Sequence, residues 1–454
     1  MTSDLDVIVV GAGGSGLAAA VSAAEHGLSV AVFESRPEPG GTTAIAVGSF
    51  TAARTDHQRR AAIADEVAEH ADDAARFAPP EIESRNNDRL RRYFLSHFSD
   101  TLRWLESMGL EFRGPSPEPP NRVPRMHNVI PSGQAYVDAL RARLLGSGAT
   151  IHCGTSVVRL LVENGRVCGV VAGDGSRTQE FRAQRGVVIA SGDYAAAPDL
   201  IARYKGESFA GIEGINPHAT GSGHRLLEAA GAQLVNMEVT YGPELRFVAP
   251  PQGVSMWQHP ENALFADGAA LVNRFGESFC DATKSPDREI ALANQPDKIA
   301  YILMDARLIT RYSTWPHFVS TAPEIAYAYV ADYLRLRPDI TLSAGSLEEV
   351  ALRRGMREPA LRDSARRCGL EGHRWVLLGP AKAYFTTTEG GAVITERLEA
   401  LNGEGRVIPG LYAVGQAGLG GMILWGHGLH IAWAMTSGRL VGKVLAAAYK
   451  ASSV

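Results

Sequence analysis

Cysteine is scarce in this chain of 454 residues: Cys153, Cys168, Cys280 and Cys368 are all there is, and no two stand at C-x-x-C spacing. That excludes a zinc ribbon and a disulfide framework, and predicts buried thiols in a reducing compartment. An excess of either charge is also missing. Lys and Arg number 45 and Asp and Glu 49, a net charge of −4. Nothing there calls for nucleic acid or an anionic membrane as partner. No apolar run approaches the ~20 residues of a membrane span. The apolar N-terminus lacks the positive segment of a signal peptide and carries Asp4 and Asp6 instead. Repeats and low-complexity tracts are absent as well. What remains is an ordinary globular composition, 45% hydrophobic and 21% charged, long enough for two domains. The expected location is the cytoplasm.

The residues present say more. Asp6–Val10 is a short β-rich run, followed at once by GAGGSG, a helix of small residues ending at Gly27, and a second strand, SVAVF, that stops at Glu34. A strand, a glycine turn, a helix and a second strand closed by an acid make a dinucleotide-binding unit. Gly11 makes the tight turn, Gly13 lets a pyrophosphate approach, and Gly16 lets helix and strand close up. Gly14 and Ser15 open the helix, whose N-terminus holds phosphate, and Glu34, with Ser35 beside it, reaches a ribose hydroxyl. A packing turn with no ligand would also use glycine; the complete unit favours the nucleotide.

Residues 57–77 and 88–108 show helical periodicity with charged outer faces, and a proline-rich connector, GPSPEPPNRVP, follows. A further helix, SGQAYVDALRARLLGSG, leads to strands with a hairpin at Glu163–Arg166. GVVIASG is a buried strand ending in glycine, suited to a backbone passing close to a cofactor. From 237 to 375 the periodicity becomes mixed and aromatic and proline content rises, with a helix expected in APEIAYAYVADYLRLRP, residues 322–338. That region is read as an inserted α+β domain between halves 1–236 and 376–454. Its arginines, Arg353, Arg354, Arg357, Arg362, Arg366 and Arg367, are interleaved with acids, which describes a solvated helix face rather than an anion site.

Eight pieces then fall in a fixed order: VIVVGAGGSGLAAA, ESRPEPGGTT, TLRWLESMGLEF, VVIASGDY, ATGSGHRLLEAAGAQLVNME, NRFGESF, TTEGG and VIPGLYAVGQAG, before a glycine-rich start to a final helix. In these the chain resembles the flavoproteins of the fumarate reductase, succinate dehydrogenase and 3-ketosteroid dehydrogenase type, along nearly its whole length. The resemblance implies an α/β fold: a Rossmann-like FAD-binding domain split in sequence, an inserted capping domain, and substrate at the flavin between them. It implies FAD held by Gly11, Gly13, Gly14, Ser15, Gly16, Glu34, Ser35, Gly40, Gly41, Thr42, Thr43, Val157, Ala190, Ser191, Gly192, Gly415, Gln416, Gly428, Leu429, His430 and Ile431. A helix opening at Gly428–His430 would aim its positive end at the flavin N1–C2=O edge. His427 and His430 stand three apart with no third ligand in view, so no metal is expected. GGTTAIAVG offers no histidine for a covalent link, so the FAD should be non-covalent.

The departures from that family narrow the substrate. Thr387 or a neighbour stands where a dicarboxylate-binding histidine belongs, VTYGP leaves Tyr241 in place of another, and ILWGHG replaces a late arginine, with Trp425 near its position. The proton-donating arginine has become Pro286, with Arg288 fitting only after a slip, and Gln416 stands where the family has Glu. Fumarate and succinate would therefore bury uncompensated charge. The pattern GHGLHIAWAMTSG is closer to the ketosteroid dehydrogenases, and Trp425, Phe385 and Thr387 would line a pocket for a neutral or aromatic ring. The implied reaction is desaturation: a base takes the proton beside a carbonyl while the neighbouring hydride passes to flavin N5. Tyr384, His427 and Tyr241 are candidates for the proton and oxyanion roles, with Tyr136 behind them. The alternatives are an enone or enoate reductase driven by an external electron donor, and a flavin-binding protein without turnover. An external electron acceptor or donor is the one partner expected besides a small-molecule substrate.

Overall fold

The structure is a computed structural model and describes residues 5–248, 260–322 and 326–452. The chain divides into two compact units, one made of Met1–Leu200, Asn216–Tyr241 and Thr387–Val454, the other of Ile201–Ile215 and Gly242–Thr386.

The first unit is built on a sheet whose strands run, in spatial order, Glu399–Leu401, Val407–Ala413, Thr178–Ile189, Leu5–Val10, Val30–Phe33 and Thr150–His152. The five from Val407–Ala413 onward are mutually parallel. Parallel strands are covered on both faces, and Val7 to Val10 and Val30 to Phe33 are accordingly all buried. The expected hairpin is present, with Glu163 opposite Arg166. The first helix, Gly14–Glu25, and the final helix, Leu429–Ser452, meet backbone to backbone. A Cβ at Gly438 would sit on the Ser15 carbonyl oxygen, and one at Gly442 would lie 2.5 Å from the Ala23 nitrogen. Glycine at these two places is what allows the two helices to touch.

The second unit centres on the long strand Trp375–Phe385. It pairs antiparallel with Glu244–Phe247, Ala300–Asp305 and Thr341–Ala344, and parallel with Glu213–Gly214. Helices Leu347–Arg354 and Glu358–Arg367 carry Arg353, Arg362, Arg366 and Arg367 on their exposed faces, paired with Glu348, Glu349, Glu358 and Asp363, while Arg357 pairs with Glu277 and Arg354 is half-buried.

Four expectations need correction. Residues 57–77 are two short helices, Asp56–Arg60 and Val67–Ala74, separated by a turn in which Ala62 is left-handed. Their charges do not all face outward. Asp65 and Asp73 are buried around Arg125, which is wholly buried and bonded to both at 2.6 Å. Residues 88–108 likewise break, at Ser96–His97. In 322–338, residues 323–325 lie outside the described residues, Ala326–Ala328 pairs as a strand with Ser320–Ala322, and the helix is only Val330–Leu336, started by Asp332 accepting the Tyr329 N–H. The four cysteines are free but half-buried rather than buried.

Candidate active site

In a parallel sheet, ligands sit at the carboxyl ends of the strands where strand order reverses. Here Leu5–Val10 has Val30–Phe33 on one side and Thr178–Ile189 on the other, so its end is that point. Gly11–Gly16, Glu34, Ala190–Gly192 and Gly415–Gln416 each follow directly from the carboxyl end of one of four adjacent parallel strands. The glycines there are set by close approach. A Cβ at Gly11 would come within 2.6 Å of the Ala190 oxygen, and one at Gly16 would sit on the Gly11 oxygen. At Gly13 a Cβ would meet nothing closer than 3.8 Å, leaving room for a ligand. The Gly40–Thr43 segment is tied to this turn: the Gly40 N–H donates to the Ala12 carbonyl at 3.0 Å, and Thr43 Oγ1 accepts from the Gly14 N–H at 3.2 Å.

Glu34 holds the turn rather than standing clear of it. Its carboxylate accepts from the Ala12 N–H at 2.8 Å, the Arg36 N–H at 2.9 Å and the Ser35 hydroxyl at 3.3 Å. A carboxylate has about four acceptor positions, so one is left for a ribose hydroxyl. Val157 lies two residues beyond Thr155, whose N–H donates to the Glu34 carbonyl at 2.8 Å. Asn216 Nδ2 donates to Thr42 Oγ1 at 3.0 Å.

The final helix supplies the other wall. Its start is pinned by Thr51, whose hydroxyl donates to the His427 carbonyl at 2.5 Å, and Gly428 at φ +83° could carry no side chain against Thr51. Leu429 is buried and Ile431 half-buried. Trp433 Nε1 donates to the Gly415 carbonyl at 2.8 Å, and the Gly415 N–H donates to Ser437 Oγ at 3.0 Å. Both histidines at the mouth are tied to carboxylates. Glu118 accepts from the His427 N–H at 2.8 Å and lies 2.6 Å from its Nδ1; Glu389 lies 2.6 Å from His430 Nε2. Tyr241 pairs in register with Thr387, and its ring stands edge-to-face to Trp425 and near His430, each at 5.6 Å.

Behind them runs a polar chain. Gln416 Nε2 donates to Thr387 Oγ1 at 3.0 Å, and Thr387 Oγ1 donates to Asp193 at 2.8 Å. Burial, with Glu389 adding to it, pushes the Asp193 carboxyl up to about 6 against the pull of the Ala195 N–H, Thr387 and His430. Among the described residues, three buried polar atoms here have no partner: Ser191 Oγ, Gln416 Oε1 and Trp425 Nε1. Buried polar groups are normally satisfied, so these three fit a ligand rich in donors and acceptors.

Tyr136 is wholly buried in the core, its hydroxyl donating to the Gly48 carbonyl at 2.9 Å, and burial raises its phenol well above the usual range. Tyr384 and Phe385 belong to the second unit, where Phe385 is fully buried and Tyr384 is pushed up to about 12 by burial and by Glu213. Arg288 is buried there too, against Glu289, Asn262 and the Ala282 carbonyl. Asp193, Glu389 and Glu118 were not singled out from the sequence. The one available signal for the first two was an acid inside otherwise small or apolar motifs, SGDY and TTEGG.

A family model described as "FAD binding domain" matches residues 6–427. The chain belongs to the FAD binding domain family. It is 27% identical over 459 residues to a fumarate reductase (cytochrome) of Shewanella frigidimarina, covering 97% of this chain and 76% of that one. Its fold is that of the open conformation of a flavocytochrome c3 fumarate reductase, with a TM-score of 0.80 at 23% identity over 98% of this chain and 79% of the other. It is also that of 3-ketosteroid delta1-dehydrogenase from Sterolibacterium denitrificans, with a TM-score of 0.71 at 18% identity, 98% of this chain and 100% of the other. This chain is therefore an FAD-dependent oxidoreductase of the FAD binding domain family, similar to fumarate reductases. Among the described residues no helix is long and apolar enough to cross a membrane, and no group of three or more His, Cys, Asp or Glu could hold a metal.

Proposed function

We propose that this oxidoreductase acts on a carbon–carbon bond beside a carbonyl in an uncharged, ring-bearing substrate, in the direction of desaturation. FAD, when bound, supplies the two-electron acceptor. Gly11–Gly16, Glu34–Ser35, Gly40–Thr43, Val157, Ala190–Gly192, Gly415–Gln416 and Gly428–Ile431 would hold it, without a covalent bond.

The observation that carries the reading is the absence, among the described residues of the first unit, of free positive charge around Tyr241, Thr387 and Trp425. Both histidines there are paired one-to-one with carboxylates. Arg91, whose Nη1 donates to the Ile423 carbonyl, is itself buried against Glu83. Arg288, in the second unit, is consumed by Glu289. A dicarboxylate would leave several kcal/mol per ion uncompensated. Aromatic faces from Tyr241 and Trp425 instead suit a flat neutral ring. Tyr384, with its phenol pushed up to about 12, stays protonated at neutral pH and is a hydrogen-bond donor rather than a base.

Enone reduction uses the same groups in reverse, and the likeness to a fumarate reductase favours keeping it as the second reading. An anaerobic titration separates the two. Saturated cyclic ketones, beginning with cyclohexanone, are added while the oxidised-flavin absorption band is followed. Bleaching with enone as product supports desaturation. No bleaching, but reoxidation of dithionite-reduced protein by 2-cyclohexenone or a larger enone, moves the assignment to the reductase. Neither response refutes both.

A further inference from the structure

Glu389 is fully buried at the turn into Gly390, and His430 is its one ion-pair partner among the described residues. Its two oxygens are both committed: Oε1 lies 2.6 Å from His430 Nε2, and Oε2 accepts the Leu424 N–H at 3.2 Å. An ionised carboxylate only accepts, so Nε2 carries the hydrogen; when the ring is neutral, its lone pair sits on Nδ1. Among the described residues the chain offers Nδ1 no hydrogen-bond partner, and the His430 side chain is 20% exposed. Tyr241, in register with Thr387, stands beside the ring. His427, three residues earlier, is held separately by Glu118 and does not compete for Glu389.

We infer that Glu389 is a positioning residue that locks the His430 imidazole in one tautomer, and that His430 Nδ1 takes or returns the substrate proton. This rests on the carbon–carbon oxidoreductase reading above. In desaturation the carbon–hydrogen bond beside the carbonyl breaks, its proton passes to Nδ1, and its electron pair becomes the new double bond. The hydrogen leaving the neighbouring carbon departs with its electron pair to FAD, the oxidant of the family. Run in reverse, Nδ1 returns the proton.

The test uses holoprotein labelled with 15N-histidine, as wild type, E389Q, E389D and H430Q. H430Q identifies the His430 resonances by their disappearance. In wild type, Nε2 is expected to appear protonated and Nδ1 bare; in E389Q the two forms should mix, and E389D should restore the wild-type pattern. In the half-reaction with whichever cyclic ketone or enone responds in the titration above, E389Q and H430Q should lower the limiting rate by about 10²-fold. Per bound flavin, half-saturation should stay within about twofold, the signature of a group that acts on the reacting centre and not on ground-state binding. E389D keeps the charge and carries the comparison if E389Q loses flavin or does not fold. A limiting rate in H430Q equal to wild type overturns the proton role. An unchanged tautomer pattern in E389Q overturns the positioning role. If no ketone or enone responds, the reaction reading fails, while the 15N spectra still decide the tautomer lock.

Discussion

Asp193 offers a direct measurement of how strained this polar interior is. Its carboxyl goes from 3.8 to about 6 on burial, and at about 1.4 kcal/mol per unit that is about 3 kcal/mol. The folded protein therefore holds a proton that the unfolded chain has released once pH passes about 4. Stability falls as pH rises from there to about 6, and the whole penalty is in force at pH 7. D193N cannot ionise and escapes this term. It still accepts from the Ala195 N–H, while Thr387 must turn its hydroxyl away from residue 193. That rearrangement is fixed, so it shifts the variant by a constant amount at every pH. The quantity to compare is the stability of D193N minus that of wild type, from urea unfolding of flavin-free protein between pH 4 and pH 7.5. The difference should move in favour of the variant by about 3 kcal/mol over that range. Parallel pH dependences would refute the reasoning, because they would mean Asp193 ionises as freely in the folded protein as in the unfolded one.

Two contrasts test the rest of the unit. G13A has no chain atom to meet closer than 3.8 Å, so apoprotein melting should match wild type while flavin content after purification drops. G16A drives a Cβ into the Gly11 carbonyl and should lose both. Arg125→Met leaves the buried Asp65 without its cation, while Asp73 keeps Arg122 at 2.8 Å. It should destabilise the protein by about 3–5 kcal/mol in urea unfolding near pH 7. Flavin released by acid precipitation should remain in the supernatant, as a non-covalent cofactor does.

What could be read in the sequence was what is decided locally. Gly11 to Gly16 follow a strand and open a helix within a few residues, so the turn and its parallel strands declare themselves in one short window. The hairpin at Glu163–Arg166 does so too. Charge was harder to read, because its partner is remote. Asp73 resembles a solvated helix residue until Arg125, 52 positions later, folds against it. Glu118 sits in a proline-rich connector and His427 lies 309 positions away, so nothing near either announces the pair. The same holds for Asp193 and Thr387, 194 positions apart. Periodicity reports which face is apolar; it does not report which buried acid has found a cation.

The crossing of Gly14–Glu25 and Leu429–Ser452 has a consequence for the order in which the protein is made. Gly438 and Gly442 pack against Ser15 to Ala23, and Val407–Ala413 completes the sheet beside Thr178–Ile189. Everything between, including the whole second unit, leaves the ribosome before these pieces do. The glycine turn is thus synthesised early and enclosed late. A nascent chain can present the turn but not the helix that backs it, so capture of the nucleotide must await the emergence of Gly438 and Gly442. A chain cut short anywhere before Gly438 should emerge colourless, however well its early strands have paired.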